Sequence, residues 1–264
     1  MVQLGVLCRM FKANSTIGWA IGRLTATAGD LIAFLRAPKL DSASDRPPGK
    51  IGGLAWLFAL NLIIVAAIAA ILLPVMLLLD IKMASSMADL FNRPFWQLIL
   101  FVVVVGPIAE ELLFRSWLTG SPRLLVPFFG VLAWLASTTG LLHVGWLDTK
   151  SPTAAVLLAV IVAAFIIGLF ACWKRTTPRW FVRAFPAIFW SQALLFGFVH
   201  VFNYAGGNPV ALLPFVLPQL VGGLIWGYAR VRYGWWANIA LHMAYNLVAT
   251  SGLLYMLLTQ PDVV

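Results

Sequence analysis

Seven long apolar stretches, separated by short polar connections, dominate the pattern along this chain. A helix needs about 20 apolar residues to span a bilayer, and each stretch is close to that length. The pattern therefore predicts an all-α fold, namely a polytopic membrane helix bundle with about seven transmembrane helices. The predicted spans are residues 52–79, 95–119, 122–142, 153–173, 185–204, 209–229 and 236–259.

The first 50 residues carry a different pattern, in which charged residues are spread among apolar ones. Arg23 and Asp30 lie near the centre of this region and disfavour a span. We therefore expect an amphipathic helix at about 15–36 on the membrane surface. The polar linker KLDSASDRPPGK follows. The predicted organisation is an N-terminal amphipathic segment and linker at 1–50 and a transmembrane domain at 51–260.

Composition and charge support a membrane location and exclude nucleic acid as a partner. Hydrophobic residues make up 62% of the chain and charged residues 10%, whereas a soluble domain is about half apolar and a quarter charged. The net charge of +9 comes from 18 Lys and Arg residues, and all but Lys82, Arg93 and Lys150 lie on the side of the N-terminus. Because cytoplasmic connections are rich in Lys and Arg, we expect a cytoplasmic N-terminus in the plasma (inner) membrane.

The only two glutamates of the chain stand side by side, Glu110-Glu111, inside the apolar run LILFVVVVGPIAEELLFRSWL. A charged residue at the bilayer centre costs about 2.5–3.5 kcal/mol on insertion scales and marks a functional site by default. Adjacent helical residues point about 100° apart, and Arg115 is four residues after Glu111. We therefore expect Arg115 to pair with Glu111 and Glu110 to face a cavity.

Two histidines also lie inside apolar spans. Phe196 precedes His200 by one helical turn, and Asn246 follows His242 by one turn, so each pair shares a helix face. One such histidine is usually a packing residue, but two of them with an asparagine and a glutamate pair form a much rarer set. The set points to a catalytic site that several spans build together.

Two chemistries fit this set from the residue types alone. In the first, His200, His242 and one glutamate bind Zn²⁺, and the other glutamate activates a metal-bound water. In the second, no metal takes part. Glu110, aided by His200, deprotonates water directly, while His242 and Asn246 stabilise the oxyanion of amide hydrolysis.

Three ordered motifs of the chain, EELLFR, FGFVH and HMAYN, resemble the EExxxR, FxxxH and HxxxN motifs of the CPBP family (CAAX protease and bacteriocin-processing, or Abi) of intramembrane proteases. The resemblance covers roughly 95–119 and 185–250. By this resemblance, the catalytic residues would be Glu110, Glu111, His200, His242 and Asn246, with Glu110 as the base. Arg115 and Phe196 would support them. If Zn²⁺ is present, its ligands would be Glu111, His200 and His242.

The chain departs from the family pattern at residues 122–173, which we interpret as an inserted helical hairpin. His143, inside this hairpin, matches no family motif and is expected to take no part in catalysis. The resemblance implies an intramembrane endopeptidase that acts on a membrane-associated peptide or protein, with an active site that opens toward the cytoplasm. The alternatives are a non-enzymatic binding or immunity protein that keeps the protease fold, and a proton-coupled transporter.

Overall fold

The computed structural model describes residues 2–40, 50–140, 151–206 and 208–259. Within these ranges the chain is helical, and its one β-type contact is an isolated bridge between Met83 and Tyr204. The all-α prediction is therefore confirmed. The α-helices are α1 (Val2–Arg36), α2 (Lys50–Leu78), α3 (Ser85–Phe91), α4 (Phe95–Leu98), α5 (Gly106–Arg115), α6 (Pro122–Leu135), α7 (Pro152–Cys172), α8 (Arg179–Val199), α9 (Pro209–Leu212), α10 (Leu217–Arg232) and α11 (Trp235–Thr259).

Shorter helical pieces continue several of these helices. A π-helix, Ile99–Val105, joins α4 to α5, and a second one, Ala136–Gly140, follows α6. The 3₁₀-helices Ser116–Thr119, His200–Asn203 and Leu213–Val216 extend α5, α8 and α9. The joined pieces let the chain continue across long apolar segments although prolines interrupt the regular helical pattern.

Five helical segments within the described residues are long and apolar enough to cross a membrane. They are Ile51–Leu78, Phe95–Thr119, Pro152–Cys172, Arg179–Asn203 and Pro209–Arg232. The apolar helix Pro122–Trp134 is shorter, and the side chains of α11 from residue 252 onward lie outside the description. The chain is therefore a helical membrane protein, and the count of seven spans stays a prediction.

Two helices begin earlier than the sequence pattern predicts. Helix α1 begins at Val2 and not near residue 15. Helix α8 begins at Arg179 and not at residue 185, because Pro178 lies just before the first helical turn and Arg183 is compatible with a span end, where a long basic side chain reaches toward water.

The chain divides into two compact units. Unit 1 comprises Met1–Glu111 and Pro186–Val264, and unit 2 comprises Leu112–Phe185. In unit 2, α6 and α7 pack along each other in antiparallel directions, with Gly130 against Phe165 and Gly168 against Val126. The predicted domain boundaries and the insertion at 122–173 stay predictions, and His143 and most of the predicted linker lie outside the described residues.

Helix α2 runs along unit 1 and identifies its two ends. Near its N-terminus, Gly53 lies directly against the phenol ring of Tyr233. Near its C-terminus, Leu72 and Met76 pack against a buried apolar cluster of Val201, Leu212, Phe215 and Val216. One end of unit 1 thus carries the turn between α10 and α11, and the other carries α3 and the turn between α8 and α9.

Helix α1 packs against unit 1 through aromatic side chains. Trp19 contacts Trp56 edge to face, with ring centroids 5.3 Å apart. Phe34 is buried and packs edge to face against Phe189 and Tyr228, at 5.0 and 5.1 Å. Such aromatic pairs stabilise a contact by about 0.5–1.5 kcal/mol beyond their buried area. They therefore hold the C-terminal part of α1 against α8 and α10.

Candidate active site

The π-helix before α5 follows from a Gly-Pro pair. The amide of Gly106 donates to the carbonyl of Phe101, five residues earlier, and a Cβ at position 106 would lie 2.7 Å from that oxygen. Pro107 has no backbone N–H and cannot continue a regular α-helical ladder. A π-turn adds one residue to the helix and is common at functional sites. The Gly-Pro pair thereby sets the rotation of α5 and the direction of Glu110.

Glu111 lies in a buried polar cluster with two residues of α11. Its side chain is 0% exposed. The Oε1 atom lies 2.9 Å from Nδ1 of His242, and Asn238 donates its side-chain N–H to Oε2. Because Asn238 precedes His242 by one helical turn, a single face of α11 binds both carboxylate oxygens. The carboxylate accepts at both oxygens and is held between these two side chains.

Glu110 faces the two histidine rings. Its Oε2 atom lies 3.9 Å from Nε2 of His200 and 3.7 Å from Nε2 of His242. Nδ1 of His200 lies 2.7 Å from the carbonyl oxygen of Phe196. A carbonyl oxygen only accepts, so Nδ1 of His200 carries a proton, and Nε2 is an acceptor when the ring is neutral.

Aromatic rings fix the orientation of both imidazoles. Trp226 of α10 is stacked on His242, with ring centroids 3.8 Å apart and an interplanar angle of 19°. Phe196 is buried and contacts His200 at 4.7 Å and His242 at 6.0 Å between ring centroids. Packing on several sides leaves little freedom for the rings to rotate, which pre-organises the Nε2 atoms toward Glu110.

A cavity of about 350 Å³ lies beside these groups in unit 1. Glu110, His200, His242 and Asn246 all line it. The side-chain amide of Asn246 donates to the carbonyl of Val102, in the π-helix, at 2.8 Å. This hydrogen bond ties α11 to the π-helix, which also positions Glu110.

Two segments of the chain, 92–185 and 174–248, match the family described as Rce1-like, type II CAAX prenyl endopeptidase. Together they span more than half of the chain and include the glutamate and histidine motifs. The chain belongs to this Rce1-like family. Membership confirms the resemblance to CAAX-type proteases stated above, because the CPBP and Rce1-like descriptions refer to one family. No curated protein and no solved structure matches the chain.

In this Rce1-like protein, six of the seven residues singled out from the sequence lie around one cavity or in contact with its lining. They are Glu110, Glu111, Phe196, His200, His242 and Asn246. Arg115, the seventh, is also fully buried, but it belongs to unit 2. Its predicted pairing with Glu111 and the catalytic roles of all seven residues stay predictions.

The predicted zinc ligands do not fit a metal site in this arrangement. Glu111 contacts Nδ1 of His242, whereas the Nε2 atoms of His200 and His242 face Glu110. Within the described ranges, no three His, Cys, Asp or Glu side chains are grouped so that they could hold a metal ion. Zinc binding stays a prediction, which the metal content of the purified protein would test.

Two residues of the site were not identified from the sequence. Asn238 could have been identified from its spacing, because it lies four residues before His242 just as Asn246 lies four residues after it. These three residues form one polar stripe on an otherwise apolar helix. Trp226 gave no such signal, since an aromatic residue in an apolar span is ordinary. Only the packing of α10 against α11 shows that it stacks on the histidine.

Proposed function

We propose that this Rce1-like protein is an intramembrane endopeptidase in which Glu110 activates a water molecule for attack on a peptide bond. The substrate is a membrane-associated peptide or protein. The observation that carries the proposal is that Oε2 of Glu110 lies within 4 Å of both histidine Nε2 atoms at the wall of one cavity. These separations suit a water molecule that hydrogen-bonds to the carboxylate and to an imidazole.

The two histidines have different Nδ1 partners, which supports different roles. His200 donates to a neutral backbone carbonyl, so its Nε2 remains an acceptor and holds the water together with Glu110. Nδ1 of His242 lies 2.9 Å from the carboxylate of Glu111, which accepts its N–H and orients the ring. When both ring nitrogens of His242 carry a proton, its Nε2–H donates to the oxyanion that forms as the carbonyl carbon is attacked.

Glu110 both takes up and releases the proton that is transferred in the reaction. Its carboxylate takes a proton from the attacking water as the C–O bond forms. The proton then moves to the amide nitrogen as the C–N bond breaks, and the carboxylate is restored. Asn246 has a second side-chain N–H besides the one that donates to Val102, and this N–H supplies a further donor to the oxyanion.

The experiment compares the wild type with Glu110→Gln in proteoliposomes, using a quenched-fluorescent prenylated peptide and, as a second probe, the peptides released from a membrane-protein extract. General-base catalysis contributes about 10²–10⁴-fold, so we expect Glu110→Gln to lower the rate at least about 100-fold.

The matched control is Asp80→Asn. Asp80 is 81% exposed, and asparagine tolerates its positive φ of 49°. This variant removes a carboxylate from the surface and should cleave like the wild type. Cleavage by Glu110→Gln at the wild-type rate would reject Glu110 as the base, and the absence of product from both proteins would favour a binding protein.

A further inference from the structure

The exposed basic residues of unit 2 lie together at one of its ends. Helices α6 and α7 are antiparallel, so the N-terminus of α6 and the C-terminus of α7 lie at the same end. The hydroxyl of Thr177 donates to the carbonyl of Thr119 at 3.2 Å, which joins the connection after α7 to the turn before α6. Five exposed residues form the basic cluster at this end: Arg123, Lys174, Arg175, Arg179 and Arg183.

No carboxylate of the described part of unit 2 balances the basic cluster. Residues 112–140 and 151–185 contain no aspartate and no glutamate. Arg123 and Arg179 also lie in the first turns of α6 and α8, where the helix dipole disfavours a positive charge. Since like charges repel one another, the cluster adds no stability to unit 2, and its charge suits an anionic partner.

The position of the basic cluster at the end of a span indicates which anion it meets. Helix α7 has 21 residues and is apolar enough to cross a membrane. At about 1.5 Å per residue it is about 30 Å long, which is the thickness of the hydrocarbon core. Lys174 and Arg175 follow it directly, between the exposed rings of Trp173 and Trp180. Because tryptophan is enriched where hydrocarbon meets headgroups, the cluster lies at the level of the lipid phosphates.

An apolar groove of about 490 Å³ runs from this end along the contact between α6 and α7. Pro122 and Trp180 line it beside the basic cluster, and Ala133 lines it further along α6. From Pro122 to Ala133 the helix rises about 16 Å, which is close to the depth of one leaflet of the hydrocarbon core. The described lining carries no charged side chain, so the groove suits an acyl chain.

We propose that unit 2 binds an anionic phospholipid of the bilayer, with one acyl chain in the groove between α6 and α7 and the phosphate at the basic cluster. The groove alone accepts any apolar partner, but the cations at its end select a partner that is apolar and ends in an anion. Binding does not rest on the proposed proteolysis, because all residues of this site belong to unit 2 and the cavity beside Glu110 is lined by unit 1.

Native mass spectrometry of the full-length protein in detergent measures lipid binding directly. Dioleoyl phosphatidylglycerol is the anionic probe, and dioleoyl phosphatidylcholine and glycerol phosphate are the comparisons. The wild type should bind the anionic lipid at least about 10-fold more tightly than phosphatidylcholine, since each basic residue near an anionic lipid strengthens binding about 5-fold. Glycerol phosphate, which has no acyl chain, should not be retained.

Two variants that each lose three charges test the basic cluster. The first combines three changes within the cluster: Lys174→Gln, Arg175→Gln and Arg179→Gln. It should weaken binding of phosphatidylglycerol about 100-fold. The matched control removes three exposed basic residues of unit 1 and should bind like the wild type: Arg36→Gln, Lys39→Gln and Lys82→Gln. A third variant keeps the charge and should also bind like the wild type: Arg175→Lys with Arg179→Lys.

Two neighbouring alanines of α7 test the groove. Ala164 lines it, whereas Ala163 is exposed and does not line it. Ala164→Trp places a bulky ring where the acyl chain lies and should weaken binding of phosphatidylglycerol about 10-fold. Ala163→Trp adds the same ring beside the groove and should leave binding unchanged.

The opposite results overturn the proposal. An equal loss of lipid binding in the unit 1 control shows general charge attraction, and retention of glycerol phosphate shows a site for free anions. An equal loss in the charge-keeping variant shows that the substitutions disturb the fold. If Ala164→Trp binds lipid like the wild type, the acyl chain does not use the groove. If Ala164→Trp instead dissociates a wild-type dimer, a second copy of the chain occupies it.

Discussion

The buried cluster around Glu111 gives the sharpest prediction. Asn238→Leu removes the N–H that donates to Oε2 of Glu111, while the bond between Oε1 and His242 remains. Leucine has the same number and branching of side-chain heavy atoms as asparagine, so the change keeps the outline of the side chain and removes the hydrogen bond to a carboxylate that is 0% exposed. We expect this variant to be clearly less stable than the wild type.

The loss of unfolding free energy caused by Asn238→Leu depends on whether Glu111 is charged. Hydrogen bonds to charged groups contribute about 1.5–3 kcal/mol, whereas neutral interhelical hydrogen bonds in membranes average about 0.6 kcal/mol. Asn238→Leu should therefore cost about 1.5–3 kcal/mol in the wild-type background. In a Glu111→Gln background, where the acceptor is a neutral amide, the same change should cost only about 0.6 kcal/mol.

The assay is reversible unfolding in detergent micelles, followed by the fluorescence of the 12 tryptophans. The matched control is Asn61→Leu, because Asn61 is also 0% exposed but its side-chain amide has no hydrogen-bond partner among the described residues. Replacing such a buried polar group with leucine should be neutral or stabilise by up to about 3 kcal/mol. If Asn238→Leu lowers the free energy of unfolding equally in both backgrounds, Glu111 is not held as a charged carboxylate by Asn238. A loss below about 0.5 kcal/mol in the wild type would refute the reasoning in the same way.

Two further predictions concern packing around the site. Gly197→Val should lower the free energy of unfolding by about 1–3 kcal/mol, because a Cβ at this position would lie 3.1 Å from Leu220. The control is Gly22→Ala, where nothing lies within 4 Å of the added Cβ. This variant should be neutral or stabilise the protein by up to about 1 kcal/mol in the same unfolding assay. Trp226→Ala should lower kcat more than it raises KM because His242 loses the ring stacked on it at 3.8 Å, and Trp226→Phe should restore part of kcat; an unchanged kcat for Trp226→Ala would show that the stack does not position the imidazole.

The fold class and most residues of the candidate site could be predicted from the sequence because a bilayer restricts which residues a membrane span can contain. A span must be apolar over about 20 residues, so helices stand out from composition alone. A carboxylate or imidazole inside such a span is costly, so Glu110, Glu111, His200 and His242 stand out as well. Asn238 could have been found by the same reasoning, since it lies on the stripe that contains His242.

Only the tertiary structure shows which contacts these residues make. The helical angle between Glu110 and Glu111 predicts that they point in different directions, but only the packing of α11 shows that Glu111 contacts Asn238 and His242. Whether His200, His242 and a glutamate can bind a metal ion depends on how their rings and carboxylates are oriented, and residue types alone do not give that orientation. These contacts join residues more than 100 positions apart, and no local pattern in the sequence encodes their distances.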